Sequence, residues 1–323
     1  MRALRTVLIP AALWLLSWSL SGAAFGDEYN GNHHCYNNDA PDASLARALK
    51  KQGPLLAVGA SVSSGLFADE FPEIVAKQLC LEEGEDYFYR FSYFNRIYQL
   101  TFDYIQTIFT QQRPRVVLAL DHLYHRFKKA PFTAETKKEL EEWIARLVLD
   151  CNHPAIDCSE GGPYHFVVEE HYHPLVILGD LYYENIIDCT KPHNITQSKI
   201  SNGIQTKGRN YQCQEDNSKI NRFLKAQEKI YPNLSVISVK ALYSALRTAP
   251  FLYHYDINNI TTDFHRDDLL FDGFHPWTDP GAHVLANIVI ERINRRIAAG
   301  ETGFTTAIPY VTIDKRYIET NQP

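Results

Sequence analysis

Two short stretches hold the residue types of an acyl-transfer centre. The first is Gly59-Ala60-Ser61-Val62-Ser63-Ser64-Gly65 and the second is Asp272-Gly273-Phe274-His275-Pro276. A serine hydroxyl is a poor nucleophile until a base accepts its proton. An imidazole does this best near neutral pH, and a carboxylate fixes that imidazole's tautomer and orientation. Asp272 and His275 stand three residues apart, so one backbone turn can present both. Ser61 needs a place that favours developing negative charge, and the amides at a helix start provide one. Each stretch also has a simpler use. Ser63 or Ser64 can cap a helix, and Asp272 can cap a turn. Neither stretch is specific alone; their joint presence near the two ends of the chain makes Ser61, Asp272 and His275 the candidate catalytic residues.

The elements around these stretches alternate between strand and helix. LLAVGAS (55–61) is an unbroken apolar run, as a strand buried on both faces requires. GLFADEFPEIVAKQLC follows as a helical stretch in which Pro72 must sit at a turn or a helix start. DYFYRFSYF (86–94), RVVLALD (115–121), HPLVILGD (173–180) and NLSVISV (233–239) read as further strands. Between them lie amphipathic helices, of which TAETKKELEEWIARLVLDC is the clearest: Thr133 with Thr136 opens it, and Trp143, Ile144 and Leu147 form its apolar face. A polar excursion at 181–216 interrupts the rhythm, residues from 240 to 276 read as a short helix and then irregular chain, and a helix from Asp279 closes the core. This alternation predicts a three-layer α/β/α sandwich with a central, mostly parallel sheet. In such sheets sites form at the carboxyl ends of the strands. That rule selects GASVSSG, the loop after the second strand, DHLYHR after the third, and the loop before the last helix.

Taken together, the first and last of these resemble the GDSL or SGNH hydrolase family. That family carries a nucleophilic serine in a Gly-Asp-Ser-Leu-type block after its first strand and an Asp-x-x-His block before its final helix. Gly59 to Gly65 match the first block and Asp272 to Pro276 the second, in the family's order, and Gly281 with the following helix is similar too. The resemblance covers about residues 54–298. It implies an SGNH-hydrolase or flavodoxin-like fold, a serine esterase activity and no cofactor. The chain departs from the family at Ala60, where the family has Asp. It also lacks the glycine of the second block and the Gly-x-Asn-Asp of the third, which complete the family's oxyanion hole. RFSYFNR and LALDHLYHRF stand in those places. Ser61 itself, Ser92, Asn95 and His122 are therefore the oxyanion-hole candidates, with Asp121 and Trp277 as candidates to line a substrate pocket. The Gly-x-Ser-x-Gly elbow of α/β hydrolases fits less well, because Ser63 stands where its second glycine belongs.

The rest of the chain bounds the setting. Arg2 and Arg5, the apolar run Val7–Leu20 and the small residues up to Gly26 form the pattern of a cleaved signal peptide. The expected organisation is a signal at 1–26, an arm at 27–53, the hydrolase-like domain at 54–298 with its insertion at 181–216, and a tail at 299–323. Localisation is expected to be secreted or periplasmic. All six cysteines follow the signal, and an exported chain with an even count is expected to form disulfides. Cys151 with Cys158 and Cys189 with Cys213 are the local pairs, leaving Cys35 to tie the arm to Cys80. Asn194-Ile195-Thr196, Asn233-Leu234-Ser235 and Asn259-Ile260-Thr261 fit the glycosylation triplet. A net charge of −6 without a basic run argues against nucleic acid, and no later segment reads as membrane-spanning. His122 with His125, and His171 with His173, have usable metal spacings but no evident third ligand, so no metal is expected. The expected partner is a small-molecule, glycan or lipid ester. The alternative is an SGNH-like chain that binds a glycan or a protein without turning it over.

Overall fold

Four of the apolar runs become strands in which every residue is buried: β1 (Leu55–Gly59), β3 (Val116–Ala119), β4 (Leu175–Gly179) and β5 (Leu234–Ile237). The structure is a computed structural model that describes residues 35, 43–60, 62–63, 70–91, 98–127, 130–181, 186–187, 200–201, 204–205, 212–238, 254–257, 260–263, 279–300 and 304–311. With β2 (Tyr87–Phe91) these strands form one sheet in the order β2-β1-β3-β4-β5, and every pairing is parallel. β2 is an edge strand and alone mixes buried with half-buried and exposed positions.

Burial on both faces requires a helical layer on each side. Leu56, Val58, Val117, Ala119, Val176, Leu178, Leu234 and Val236 point to one side. There they share a core with Phe102, Ile105 and Phe109 of α3 (Tyr98–Gln112), with Leu140, Trp143 and Leu147 of α5 (Ala134–Val148), and with Ile220 and Leu224 of α7 (Gln214–Gln227). The alternate residues Leu55, Ala57, Val116, Leu118, Leu175 and Ile177 are equally buried on the other face. α2 (Phe71–Gln78) and α8 (Asp279–Ala298) pack against each other, and α8 also reaches β4. This is the three-layer α/β sandwich that the alternation predicts. α1 (Ala43–Lys50) precedes β1, while α4 (Tyr124–Phe127) and α6 (His165–Glu169) are short connecting helices.

The segments flanking the core are joined to it by side-chain amides. Cys35 is bonded to Cys80 and Cys151 to Cys158; Cys189 lies outside the described residues. Asn221 of α7 grips Leu181 at both its backbone N–H and its C=O, each at 2.8 Å, so the start of the 181–216 excursion is core. At the C-terminal end, Asn294 holds Ile308 at both backbone groups, at 2.7 and 2.9 Å, and Asn287 holds Val311 at 2.7 and 3.1 Å. The spacing fits: seven residues of helix advance about 10.5 Å, and three extended residues about 10 Å. Residues 304–311 thus run antiparallel to α8 as a docked strap. A hairpin of His254–Ile257 with Ile260–Asp263 lies where the sequence reads as irregular chain.

Candidate active site

In a sheet of this strand order the chain leaves β1 for β2 on one side and returns to β3 on the other. The loops that follow β1 and β3 therefore diverge, and a crevice opens between their carboxyl ends. Residues 60–63 leave β1 at this point, and Asp121 with His122 leave β3 beside them.

Asp121 is 8% exposed and accepts four hydrogen bonds from the loop after β1. Its Oδ1 takes the Ala60 N–H at 3.0 Å and the Ser63 hydroxyl at 2.5 Å. Its Oδ2 takes the Val62 N–H at 3.0 Å and the Ser63 N–H at 3.4 Å. A carboxylate is acceptor-only, with about four lone-pair sites, so four donors and no competing acceptor complement it. Gly59 makes the approach possible. A Cβ there would stand 2.3 Å from Ser63 Oγ and 2.4 Å from Asp121 Oδ1, well inside contact distance. The glycine is thus required by packing at a position where L side chains have no room.

This arrangement revises two readings of the loop. Ser63 does not cap the next helix: its hydroxyl is on Asp121, and α2 begins at Phe71 with Glu70 as its N-cap residue and Pro72 in the first turn. Asp121, expected to line a substrate pocket, instead lies beneath the loop with both oxygens engaged. Convergent backbone amides of this kind form an anion nest. Here an internal carboxylate fills it, so the loop does not offer these three N–H groups to a phosphate, as nucleotide-binding sheets of this order do.

His122 follows Asp121 and packs its ring edge-on against Trp143, centroid to centroid 4.3 Å at 71°. The residue is half-buried, yet its Nε2 is sealed from water and makes no hydrogen bond among the described residues. Burial draws its pKa down to about 3, so the imidazole is neutral at any ordinary pH and keeps one N–H to donate.

Ser61, Ser92, Asn95, Asp272, His275 and Trp277 lie outside the described residues. The structure therefore brings Asp121 under Ala60, Val62 and Ser63, the neighbours of Ser61, and sets His122 against Trp143. The role of Asp121 had one signal in the sequence, a carboxylate at the end of a buried strand. Among the described residues, no three His, Cys, Asp or Glu side chains gather as metal ligands would, and no helix is long and apolar enough to cross a membrane. The fold is an α/β sandwich in which the chain switches direction between β1 and β3. Comparison of the chain with protein-family models, curated proteins and solved structures finds no match.

Proposed function

We propose that the chain is an exported serine esterase of the SGNH type. Ser61 attacks the ester carbonyl, His275 takes the serine proton and returns it to the leaving alcohol, and Asp272 orients His275. Water, activated by the same histidine, then clears the acyl-enzyme. The observation that carries this reading is the Asp121 tether. It holds the residues on both sides of Ser61 at the sheet's switch point, and Gly59 leaves room for it. A nucleophile displayed at the end of a central strand needs a backbone that does not yield. Export is supported by the signal-like N-terminal stretch and by two disulfides, which persist in oxidising compartments. The substrate is a carbohydrate O-acyl, lipid or short-chain ester.

Hydrolysis of p-nitrophenyl acetate by the mature protein tests the reading. Ser61→Ala and His275→Ala are each expected to lower kcat/KM about a thousandfold or more. Turnover within tenfold of wild type in either variant contradicts the mechanism. The second reading, an SGNH-like binder without turnover, is favoured by the absence of the Gly and Gly-x-Asn-Asp blocks. It predicts no hydrolysis by the wild-type protein and saturable binding of an acylated glycan or a protein partner.

A further inference from the structure

At the place where the SGNH resemblance leads one to look for a donor asparagine, this chain has an acceptor with no lone pair to spare. We propose that Asp121 is a positioning residue: it fixes the Ser61 loop through its carboxylate and takes no part in stabilising an oxyanion. The clamp rests on geometry alone, whereas its kinetic consequence rests on the esterase reading above.

The donor set decides the residue type. Three backbone N–H groups and one hydroxyl converge on the side chain at 121. An asparagine has the same shape but turns one oxygen into an NH₂ group, which then confronts N–H donors at about 3 Å. With the NH₂ in the Oδ2 place it opposes the Val62 and Ser63 N–H groups; in the Oδ1 place it opposes the Ala60 N–H, while the Ser63 hydroxyl can turn to accept from it. The buried loop cannot recruit water freely, because Ala60, Val62 and Ser63 are each 2% exposed or less. A nucleophile that shifts by about 1 Å loses on the order of a hundredfold in rate. The hydroxyl of Ser63 is the lesser partner, since its removal leaves all three amides in place.

Asp121→Asn separates the two ideas by sign. If residue 121 were an oxyanion contact, the amide would restore the missing donor and raise kcat. The positioning role predicts that kcat for p-nitrophenyl acetate falls at least thirtyfold while KM stays within threefold. It also predicts that the amide of Ala60, or those of Val62 and Ser63, exchange with deuterium at least tenfold faster, with the rest of the sheet unchanged. Ser63→Ala is the graded companion, expected to lower kcat three- to tenfold with KM unchanged and to raise exchange at Ser63 most. A rise in kcat for Asp121→Asn, or unaltered exchange at all three amides, overturns the proposal. Should Asp121→Asn fail to fold, Ser63→Ala decides, and unchanged kcat with unchanged exchange there is the contrary result. If the wild-type protein hydrolyses nothing, the esterase reading fails while the exchange measurement still tests the clamp.

Discussion

Acidification probes two imidazoles, one half-buried and one buried, that the sequence does not distinguish from the other eleven. His122 abuts Trp143 behind the crevice, and His283 lies on α8 at 1% exposure. Burial lowers the His122 pKa from 6.5 to about 3; burial, with Lys77 adding to it, lowers that of His283 to about 4. Both are neutral in the folded chain at pH 5, whereas in the unfolded chain each takes a proton below about pH 6.5. The unfolded state then binds more protons, so stability is full above that pH and falls as pH drops towards 4. Linkage gives a loss of about 2 kcal/mol per histidine between pH 7 and pH 5, about 4 kcal/mol for the pair. Carboxylates remain largely ionised over this window, which isolates the histidine contribution. At about 2–4 °C per kcal/mol for a large domain, Tm is expected to fall by about 8–15 °C. Scanning calorimetry at pH 7, 6 and 5 reads this directly. His122→Phe and His283→Phe should each remove about half of the slope, and the double variant nearly all of it. Only the slope matters, because overpacking by phenylalanine shifts every Tm alike. A flat profile in the wild-type protein, or an undiminished slope in the double variant, refutes the burial argument.

Gly59→Ala places a methyl group where Ser63 Oγ and Asp121 Oδ1 stand; it is expected to cost about 3 kcal/mol in thermal unfolding, as overpacking against a polar network does. Unchanged Tm would show that the loop yields without cost. Asn294→Ala leaves both backbone groups of Ile308 without their partner, so amide exchange across 304–311 should accelerate at least tenfold with a loss of about 1–2 kcal/mol. Equal protection in wild type and variant would mean that the strap docks by other contacts. Asn233 should carry no glycan when the protein is made in a glycosylating host, because its Nδ2 donates to the carbonyls of Val148 and Pro174 and the triplet's Ser235 is 1% exposed. Glycopeptide mass spectrometry finding Asn233 occupied in folded protein would contradict the packing.

The sheet was legible because its central strands are buried on both faces. LLAVG and LVILG have no polar residue, and an unbroken apolar run of that length between turn signals leaves few alternatives. The opening of α5 was equally readable: Thr133 accepts from the Thr136 N–H at 3.2 Å, a contact between near neighbours. What escaped the sequence is long-range or polar. Ser63 read as a helix cap, but the partner of its hydroxyl lies 58 residues along the chain. The pairing of HYDI with ITTD escaped because both segments are too polar to stand out as strands. The strap was announced only by two asparagines seven residues apart, a spacing that returns to the same side of the helix after two turns. At the site, residue types suggested the chemistry, and the structure describes the loop on either side of Ser61. Ser61 occupies a position whose neighbours on both sides are tied to one buried carboxylate.

If Ser61 is an activated nucleophile, a fluorophosphonate probe reacts with it. Mature protein incubated with the probe at neutral pH should gain one adduct, which peptide mapping assigns to Ser61. The adduct should vanish in Ser61→Ala and in His275→Ala. Absence of any adduct on the wild-type protein, or an adduct that persists in Ser61→Ala, would contradict the account.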